Sequence, residues 1–275
     1  MILEIEHRRE ISSPLLRYMR NVTSQFGEDG LLEHIIGVIK PAEKYCVEFG
    51  AWDGVLHSNC NNLLKNHGWA GLMIEADPDK FTKLMATYRG FPNVSYANRF
   101  VNFTGEDCLD QILREEEAPK SFGVLSIDID GNDYYVWDSL TQYTPEVVVI
   151  EFNPSIPNDV VFVQDKSFEV NQGCSLLALS RLGLQKGYEL AVCTEGNAIF
   201  VRRDKFPLLG VSDNDIWALY RPDQDGRIFH GFDGTFHVVG VDRLLWHEKF
   251  VTSADFQVLP KEQRRFNDSH KPAAK

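Results

Sequence analysis

The chain has 275 residues, of which 43% are hydrophobic and 25% charged, as in an ordinary soluble globular protein. Forty acidic residues against 28 basic ones give a formal charge of −12, which excludes a basic field for nucleic acid or an anionic membrane surface. The sequence shows no signal-peptide pattern and no apolar run of about 18 residues, so we expect a cytoplasmic protein that binds neither nucleic acid nor membrane.

From residue 45 onward, short β-rich runs alternate with helical patterns. This alternation predicts an α/β fold with a Rossmann-like, doubly wound and mostly parallel sheet. The predicted strands are residues 45–51, 71–76, 94–101, 123–130 and 147–153. The predicted helices between them are residues 58–67, 78–88, 105–116 and 133–140. Pro78 after Asp77 is typical of a helix start.

Beyond the fifth strand, residues 154–173 form an irregular stretch that is long enough to predict a lid or substrate loop. A helix follows over residues 174–186, and Gly196-Asn197 predicts a tight turn in a C-terminal antiparallel hairpin. We expect three parts: an N-terminal loop and helix cap (1–43), a cofactor-binding domain (44–206), and a C-terminal extension (207–275) with a disordered tail from residue 264.

The run V-E-F-G-A-W-D-G, residues 47–54, ends the first strand in a turn that holds two glycines. Glycines at this place let a ligand approach the backbone, as in other open α/β sheets. The pattern lacks G-x-G-x-x-G, and the acid Glu48 suits a cationic or hydrogen-bond-donating ligand better than a diphosphate. Gly50 and Gly54 without a ligand would be ordinary turn glycines, and Glu48 would then be bound to a backbone amide.

The second strand also ends in an acid, in L-M-I-E-A-D-P. Glu75 is placed where a carboxylate can accept hydrogen bonds from both hydroxyls of a ribose, with Ala76 beside it. The alternative for Glu75 is a solvated strand end. Because NAD enzymes share a glycine loop followed by a ribose-binding acid, the pair indicates a nucleoside ligand without naming it.

With L-S-I-D-I-D-G-N-D at the end of the fourth strand, these motifs resemble the class I S-adenosylmethionine-dependent methyltransferases, and within them the FkbM type. The resemblance covers residues 24–203 and includes the closing antiparallel hairpin. It implies methylation of a hydroxyl on a small molecule or saccharide. The sequence departs from the family pattern at two places. The turn after the first strand reads A-W-D-G, whereas many members of the family have their second glycine nearer the first, and D-G-N-D stands where the FkbM pattern often has E-G-A-E.

The resemblance also implies roles for individual residues. The methionine part of the cofactor would lie against Glu48 and the turn after it, and Glu75 would bind the ribose. Residues 98–101 would flank the adenine, and Gln25 and Glu28 would close over the pocket unless they only cap the first helix. The expected cofactor-binding residues are Gln25, Glu48, Gly50, Ala51, Asp53, Gly54, Glu75, Ala76, Asn98, Phe100, Val101 and Asp128.

Acids also gather where the fourth and fifth strands end. Asp128, Glu151 and Asn153 offer the oxygen ligands that Mg²⁺ prefers, and a metal there would lower the pKa of an acceptor hydroxyl. Asp128 or Asp130 would alternatively serve as a general base without a metal, or only position the cofactor. His57 is a further candidate base, although a lone histidine is more often structural.

Two other functions remain open at this stage. A nucleotide-dependent oxidoreductase would use the same sheet but is disfavoured by the missing G-x-G-x-x-G, and a non-catalytic assembly protein would bind the cofactor without turnover. The sequence does not identify the acceptor. Aromatic residues of the C-terminal part would supply a homodimer surface if they are exposed: Phe229, Phe232, Phe236 and Trp246.

Overall fold

A computed structural model describes residues 13–221, 227–239, 243–244 and 249–264. The chain divides into two compact units, Met1–Arg221 and Pro222–Lys275. The predicted extension thus contributes its residues 207–221 to the first unit. The predicted disordered tail lies outside the described residues except for Arg264, and so does Trp246.

The first unit is built on a seven-stranded sheet in the order β3-β2-β1-β4-β5-β7-β6. All neighbours pair in parallel except β7, which runs antiparallel to both β5 and β6. The predicted mostly parallel sheet with a closing antiparallel hairpin is therefore confirmed, and β7 lies between β5 and β6. The strands are β1 (Tyr45–Phe49), β2 (Ala70–Glu75), β3 (Val94–Asn98), β4 (Ser121–Ile127), β5 (Thr144–Glu151), β6 (Tyr188–Cys193) and β7 (Asn197–Arg202).

Helices connect the strands and cover both faces of the sheet, as the alternating pattern predicts. Helix α3 spans the predicted residues, and the side chain of Asp77 caps it by accepting hydrogen bonds from the amides of Asp79 and Lys80. The helices of this unit are α1 (Glu28–Ile39), α2 (Asn61–Asn66), α3 (Pro78–Tyr88), α4 (Leu109–Glu115), α5 (Asp133–Ser139), α6 (Leu176–Lys186) and α7 (Ile216–Leu219).

The two faces of the sheet bury separate hydrophobic clusters. In β5, Val148 and Ile150 belong to the cluster that contains Trp137, whereas Val147 and Val149 belong to the opposite cluster with Trp69. All four β5 side chains are fully buried, which explains why this strand reads as a continuous apolar run. The covered sheet holds the strand ends, and therefore the candidate site, in fixed positions.

The described residues of the second unit form two small antiparallel sheets and a short α-helix. The strands are β8 (Arg227–His230), β9 (Phe236–Val239), β10 (Arg243–Leu244) and β11 (Lys249–Phe250), and the helix is α8 (Ser253–Phe256). Phe229 is 51% and Phe232 96% exposed. A homodimer through these aromatic side chains stays a prediction. Among the described residues, no helix is both long and apolar enough to cross a membrane.

Candidate functional site

The carboxyl ends of the parallel strands bring acidic residues to one edge of the sheet. Glu48 lies near the end of β1, Glu75 ends β2, Asp128 follows β4, and Glu151 ends β5. Strands β1, β2, β4 and β5 run in one direction, so all four ends face the crevice where open α/β sheets bind ligands. This edge is the candidate site.

Glu48 is the most enclosed of these acids. Its carboxylate accepts hydrogen bonds from the Ser58 hydroxyl at 2.5 Å and from the Asn59 amide at 2.7 Å. Burial nevertheless raises the pKa of Glu48, against the effect of these hydrogen bonds. Glu48 thus connects β1 to the segment that leads into α2. Its hydrogen bond with a backbone amide is the structural role given above as the alternative to ligand binding, and the role in cofactor binding stays a prediction.

The two glycines after β1 are required by the protein's own packing. Gly50 has φ 73°, and a Cβ there would lie 1.8 Å from the backbone oxygen of Asp128. Gly54 has φ 75°, and its Cβ would meet Tyr88 at 2.5 Å and Leu84 at 2.6 Å. Glycine is therefore needed whether or not a ligand is bound, since the turn packs directly against β4 and α3.

Between the glycines, the turn is held by side-chain to backbone hydrogen bonds. Asp53 accepts from the amides of Val55 and Leu56 at 2.9 and 2.8 Å, and the Ala51 amide donates to the backbone of β2. Asp53 therefore shapes the loop through an Asx turn. Its predicted contact with the cofactor stays a prediction.

Trp52 and His57 adopt left-handed backbone conformations in this turn, with φ of 50° and 58°. Such conformations are costly for residues other than glycine and are concentrated at functional sites. Both side chains are exposed, and the Lys80 ammonium lies 3.8 Å from the centre of the Trp52 ring. The sequence reasoning did not single out Trp52, because its conformation depends on contacts that no local pattern encodes.

Glu75 is buried and uses both carboxylate oxygens to organise the same edge. It accepts hydrogen bonds from the amides of Trp52 and Asp77, each at 2.8 Å. Asn98 at the end of β3 donates to the backbone oxygens of Glu75 and Ala76 at 2.7 and 3.1 Å. Since each carboxylate oxygen has more than one lone pair, Glu75 retains capacity for a ribose hydroxyl.

The segment after β3 carries aromatic side chains toward the loop that follows β5. Phe100 is 50% exposed, whereas Val101 is buried in the core. Phe168 stacks on Phe103 with ring centres 5.3 Å apart and also meets the edge of Phe100 at 4.7 Å. Of the predicted adenine-flanking residues 98–101, Val101 is therefore a core residue, whereas Phe100 is exposed and contacts Phe168.

The irregular residues 154–173 form a loop with its own internal anchor. Gln164 is 1% exposed, and its side-chain oxygen accepts hydrogen bonds from the amides of Gln172 and Gly173, each at 2.8 Å. Its side-chain nitrogen donates to the backbone of Val170 and to Asn132, which precedes α5. One buried glutamine therefore fixes the path of this loop beside the end of β4.

Asp128, Asp130 and Glu151 form a compact group at the ends of β4 and β5. One carboxylate oxygen from each lies within 4.8 Å of the other two. Burial, with the nearby charges of Asp133 and Asp130, raises the pKa of Asp128 to about 8, and burial also raises that of Glu151. Because like charges this close cannot all remain ionised without compensation, the group is suited to hold a proton or a cation.

Two neighbours of this group have structural contacts. Asp133 accepts hydrogen bonds from the amides of Ile129 and Gly131 and so fixes the turn after β4, although burial raises its pKa to about 6. Asn153 donates to the Gln172 oxygen and accepts from the Ser155 amide. The structure thus draws Asp130 into the acidic group, and Asn153 as a metal ligand stays a prediction.

Glu28 and Gln25, the two residues expected to close over the pocket, differ in burial. Glu28 is fully buried and accepts hydrogen bonds from Thr194 at 2.6 Å and from Asn197 at 3.0 Å, beside the end of β5. Gln25 is exposed, and its backbone oxygen accepts from Asn21. Glu28 therefore connects α1 to the β6–β7 hairpin through hydrogen bonds, and the lid roles of Glu28 and Gln25 both stay predictions.

No protein-family model and no curated protein matches the chain. Among solved structures, the N-terminal domain of EvdMO1 with S-adenosylhomocysteine bound is 11% identical, with 64% of this chain and 80% of that chain covered and a TM-score of 0.42. An O-methyltransferase family protein from Burkholderia thailandensis is 12% identical (63% and 55% covered, TM-score 0.42). TrmK from M. capricolum with the same cofactor product is 8% identical (62% and 65% covered, TM-score 0.39).

The chain thus spans less than two thirds of the last two proteins. Likenesses this distant leave the activity to be argued from the residues of the site.

Proposed function

We propose that the chain is an S-adenosylmethionine-dependent methyltransferase that acts on a hydroxyl group of a small molecule or saccharide. The observation that carries the proposal is the gathering of Glu48, Glu75, Asp128 and Glu151 at one edge of a sheet whose β7 is reversed. The motifs at the ends of the first, second and fourth strands resemble the class I methyltransferases, and that resemblance implies a sheet of this kind with a closing antiparallel hairpin. The FkbM type is the finer part of the proposal and rests on those motifs alone.

The charge of the proposed cofactor complements that of this edge. S-adenosylmethionine carries a sulfonium and an ammonium group, and a crevice lined by carboxylates attracts both. Glu75 would accept hydrogen bonds from the ribose hydroxyls, with Phe100 beside the adenine. An enclosed Glu48 and the Asp128 group would then face the methionine part and the reacting methyl.

Asp128 is the proposed general base. In the reaction, the acceptor oxygen attacks the methyl carbon, the bond from that carbon to sulfur breaks and leaves a neutral thioether, and the hydroxyl proton passes to a carboxylate. A pKa of about 8 makes Asp128 a stronger base than an ordinary aspartate, because burial and the charges of Asp133 and Asp130 favour its protonated form. The ionised fraction still reaches a useful level near neutral pH.

A divalent cation is the competing occupant of the acidic group. Asp128, Asp130 and Glu151 supply three carboxylates, and Oε2 of Glu151 accepts no hydrogen bond from the part of the chain that the structure describes. Hard oxygen ligands of this kind fit Mg²⁺. A bound ion would supply charge that lowers the pKa of the acceptor hydroxyl, and the same three residues would hold it.

Calorimetric titration with S-adenosylhomocysteine and with NADH, each with and without Mg²⁺, tests the proposal. Micromolar binding of S-adenosylhomocysteine without binding of NADH supports it, and binding of NADH alone refutes it in favour of an oxidoreductase. An affinity that rises with Mg²⁺ in the wild type but not in Asp130→Asn would assign the acidic group to the ion. Binding of neither ligand would favour a non-catalytic role.

The role of Asp128 is tested separately, with transfer of a labelled methyl group to a panel of hydroxyl acceptors. Asp128→Asn should retain affinity for S-adenosylhomocysteine, whose sulfur is neutral, and lose most of the turnover, because amide and carboxylate have nearly the same shape but only the carboxylate accepts the proton. Equal losses in affinity and turnover would place Asp128 at the cofactor instead.

A further inference from the structure

A cavity of about 600 Å³ lies beside α6, and its walls contain none of the acids at the strand ends. Four parts of the first unit form it: the loop after β5, one face of α6, the start of β6, and the segment that leads into α7. Cavities of this size are typical of small-molecule sites. None of the steps proposed for the acidic group at the strand ends uses these walls.

The cavity has an apolar floor and an aromatic rim. Leu190 and Ile216, among its lining residues, are 3% and 8% exposed and belong to the hydrophobic core. Trp217 stands at the rim, with 48% of its surface exposed. Apolar carbons of a ligand would contact the floor, and the indole face would be available to a cation.

The polar walls carry more acceptors than donors. Four carboxylates line the cavity, from Asp159, Glu189, Asp213 and Asp215, against the single guanidinium of Arg181. Glu189 accepts hydrogen bonds from Arg203 at 2.9 Å and from Asn214 at 3.0 Å, and Asp213 and Asp215 each accept one from a backbone amide. A ligand that brings hydrogen-bond donors and positive charge complements such walls, whereas an anion does not.

A buried amide also lies in this wall. Asn158 is 1% exposed, and its nitrogen donates to the Tyr220 backbone oxygen at 2.9 Å. Its Oδ1 accepts no hydrogen bond from any described residue.

We propose that this cavity binds an alkylammonium ligand, with the charged nitrogen between the acidic wall and the Trp217 indole and the carbon chain on the leucine and isoleucine floor. The contact between ammonium and indole adds to the attraction of the carboxylates. This site is independent of the proposed methyl transfer, because its lining residues and its binding test involve neither a methyl donor nor the residues at the strand ends.

The probe is 1,4-diaminobutane, titrated calorimetrically into the full chain at physiological ionic strength, where non-specific attraction to the acidic protein is screened. We expect saturable binding of the diamine and no binding of the uncharged 1,4-butanediol. Trp217→Ala should weaken binding by roughly 2- to 30-fold, which is the range for loss of a cation–π contact. Trp52→Ala is the matched control, because Trp52 is 43% exposed and lies in the other site.

Asp159→Asn is a second variant, at an exposed residue of the loop after β5. It keeps the proposal testable if Trp217→Ala fails to fold. It should also weaken binding of the diamine. The proposal would be overturned if the diamine showed no saturable binding or if the diol bound equally well. It would also be overturned if Trp52→Ala or Asp128→Asn weakened binding of the diamine while Trp217→Ala and Asp159→Asn bound it normally.

Discussion

The carboxyl group of Asp128 should make the fold less stable as the pH rises. Its pKa is raised from 3.8 to about 8, first by burial and then by the charges of Asp133 and Asp130. In the unfolded chain an aspartate has a pKa of about 3.9. Between these two values the unfolded chain has released a proton that the folded chain keeps, so the free energy of unfolding falls with increasing pH.

The magnitude follows from proton linkage. One proton retained by the folded state alone corresponds to a slope of about 1.4 kcal/mol per pH unit. Asp128→Asn keeps the size of the side chain and is neutral at every pH, so the variant lacks this slope. Its stability relative to the wild type should therefore increase from about pH 4 to about pH 8 and then level off. This slope is an upper limit, because Asp128, Asp133 and Glu151 lie close together and the ionisation of each raises the pKa of the others.

Urea denaturation of wild type and variant across this pH range measures the effect directly. Asp79→Asn is the control, since Asp79 is an exposed acid on α3 that lies outside the acidic group. Parallel curves for wild type and Asp128→Asn would refute the reasoning and would mean that Asp128 is solvated in the folded protein.

Three further changes test individual contacts. Glu75→Ala should weaken binding of S-adenosylhomocysteine by about 1–3 kcal/mol in calorimetry, the usual loss for a hydrogen bond to a charged group, and unchanged affinity would remove Glu75 from the ribose. Gly50→Ala should destabilise the fold by at least about 2 kcal/mol in urea, because its Cβ would overlap the Asp128 backbone at φ 73°, whereas Gly90→Ala has open space and should be nearly neutral. Gln164→Ala should speed hydrogen exchange in residues 164–173 with little change elsewhere, and uniform exchange across the unit would contradict its role as a local anchor.

The parts of the fold that depend on local chemistry could be predicted from the sequence. Helix α3 begins and ends where the sequence predicts, because Asp77 and Pro78 act on the backbone beside them. The β6–β7 hairpin was predicted from Gly196-Asn197 for the same reason. The position of β7 between β5 and β6 was not predicted, since strand order is decided by packing between residues far apart in the chain.

The candidate site shows the same division. The acids at the strand ends could be listed from the sequence, because parallel strands end at one edge of a sheet. The sequence could not decide which of them meet: Asp130 reaches Asp128 and Glu151 through a left-handed backbone conformation at φ 56°. The reason for Gly50 was also hidden, because the atom that a Cβ would strike belongs to Asp128, 78 positions later in the printed sequence.

Under the proposed function, the acidic group should couple binding of the cofactor to release of protons, and this coupling should differ between S-adenosylmethionine and S-adenosylhomocysteine. Asp128 has a pKa of about 8, so at neutral pH it is mostly protonated. A sulfonium placed beside Asp128 and Glu151 would favour their ionised forms, and binding of S-adenosylmethionine should release protons near pH 7. S-adenosylhomocysteine has a neutral sulfur and should release fewer.

Calorimetry in buffers of different ionisation enthalpy counts the protons released. The affinity for S-adenosylmethionine should also increase from pH 6 to about pH 8 more steeply than that for S-adenosylhomocysteine, because less work is needed to ionise the group at higher pH. Asp128→Asn should reduce the difference between the two ligands, since the amide has no proton to release in this range. Equal proton release for both ligands in the wild type would place the sulfonium away from Asp128 and would remove the aspartate from the reacting methyl group.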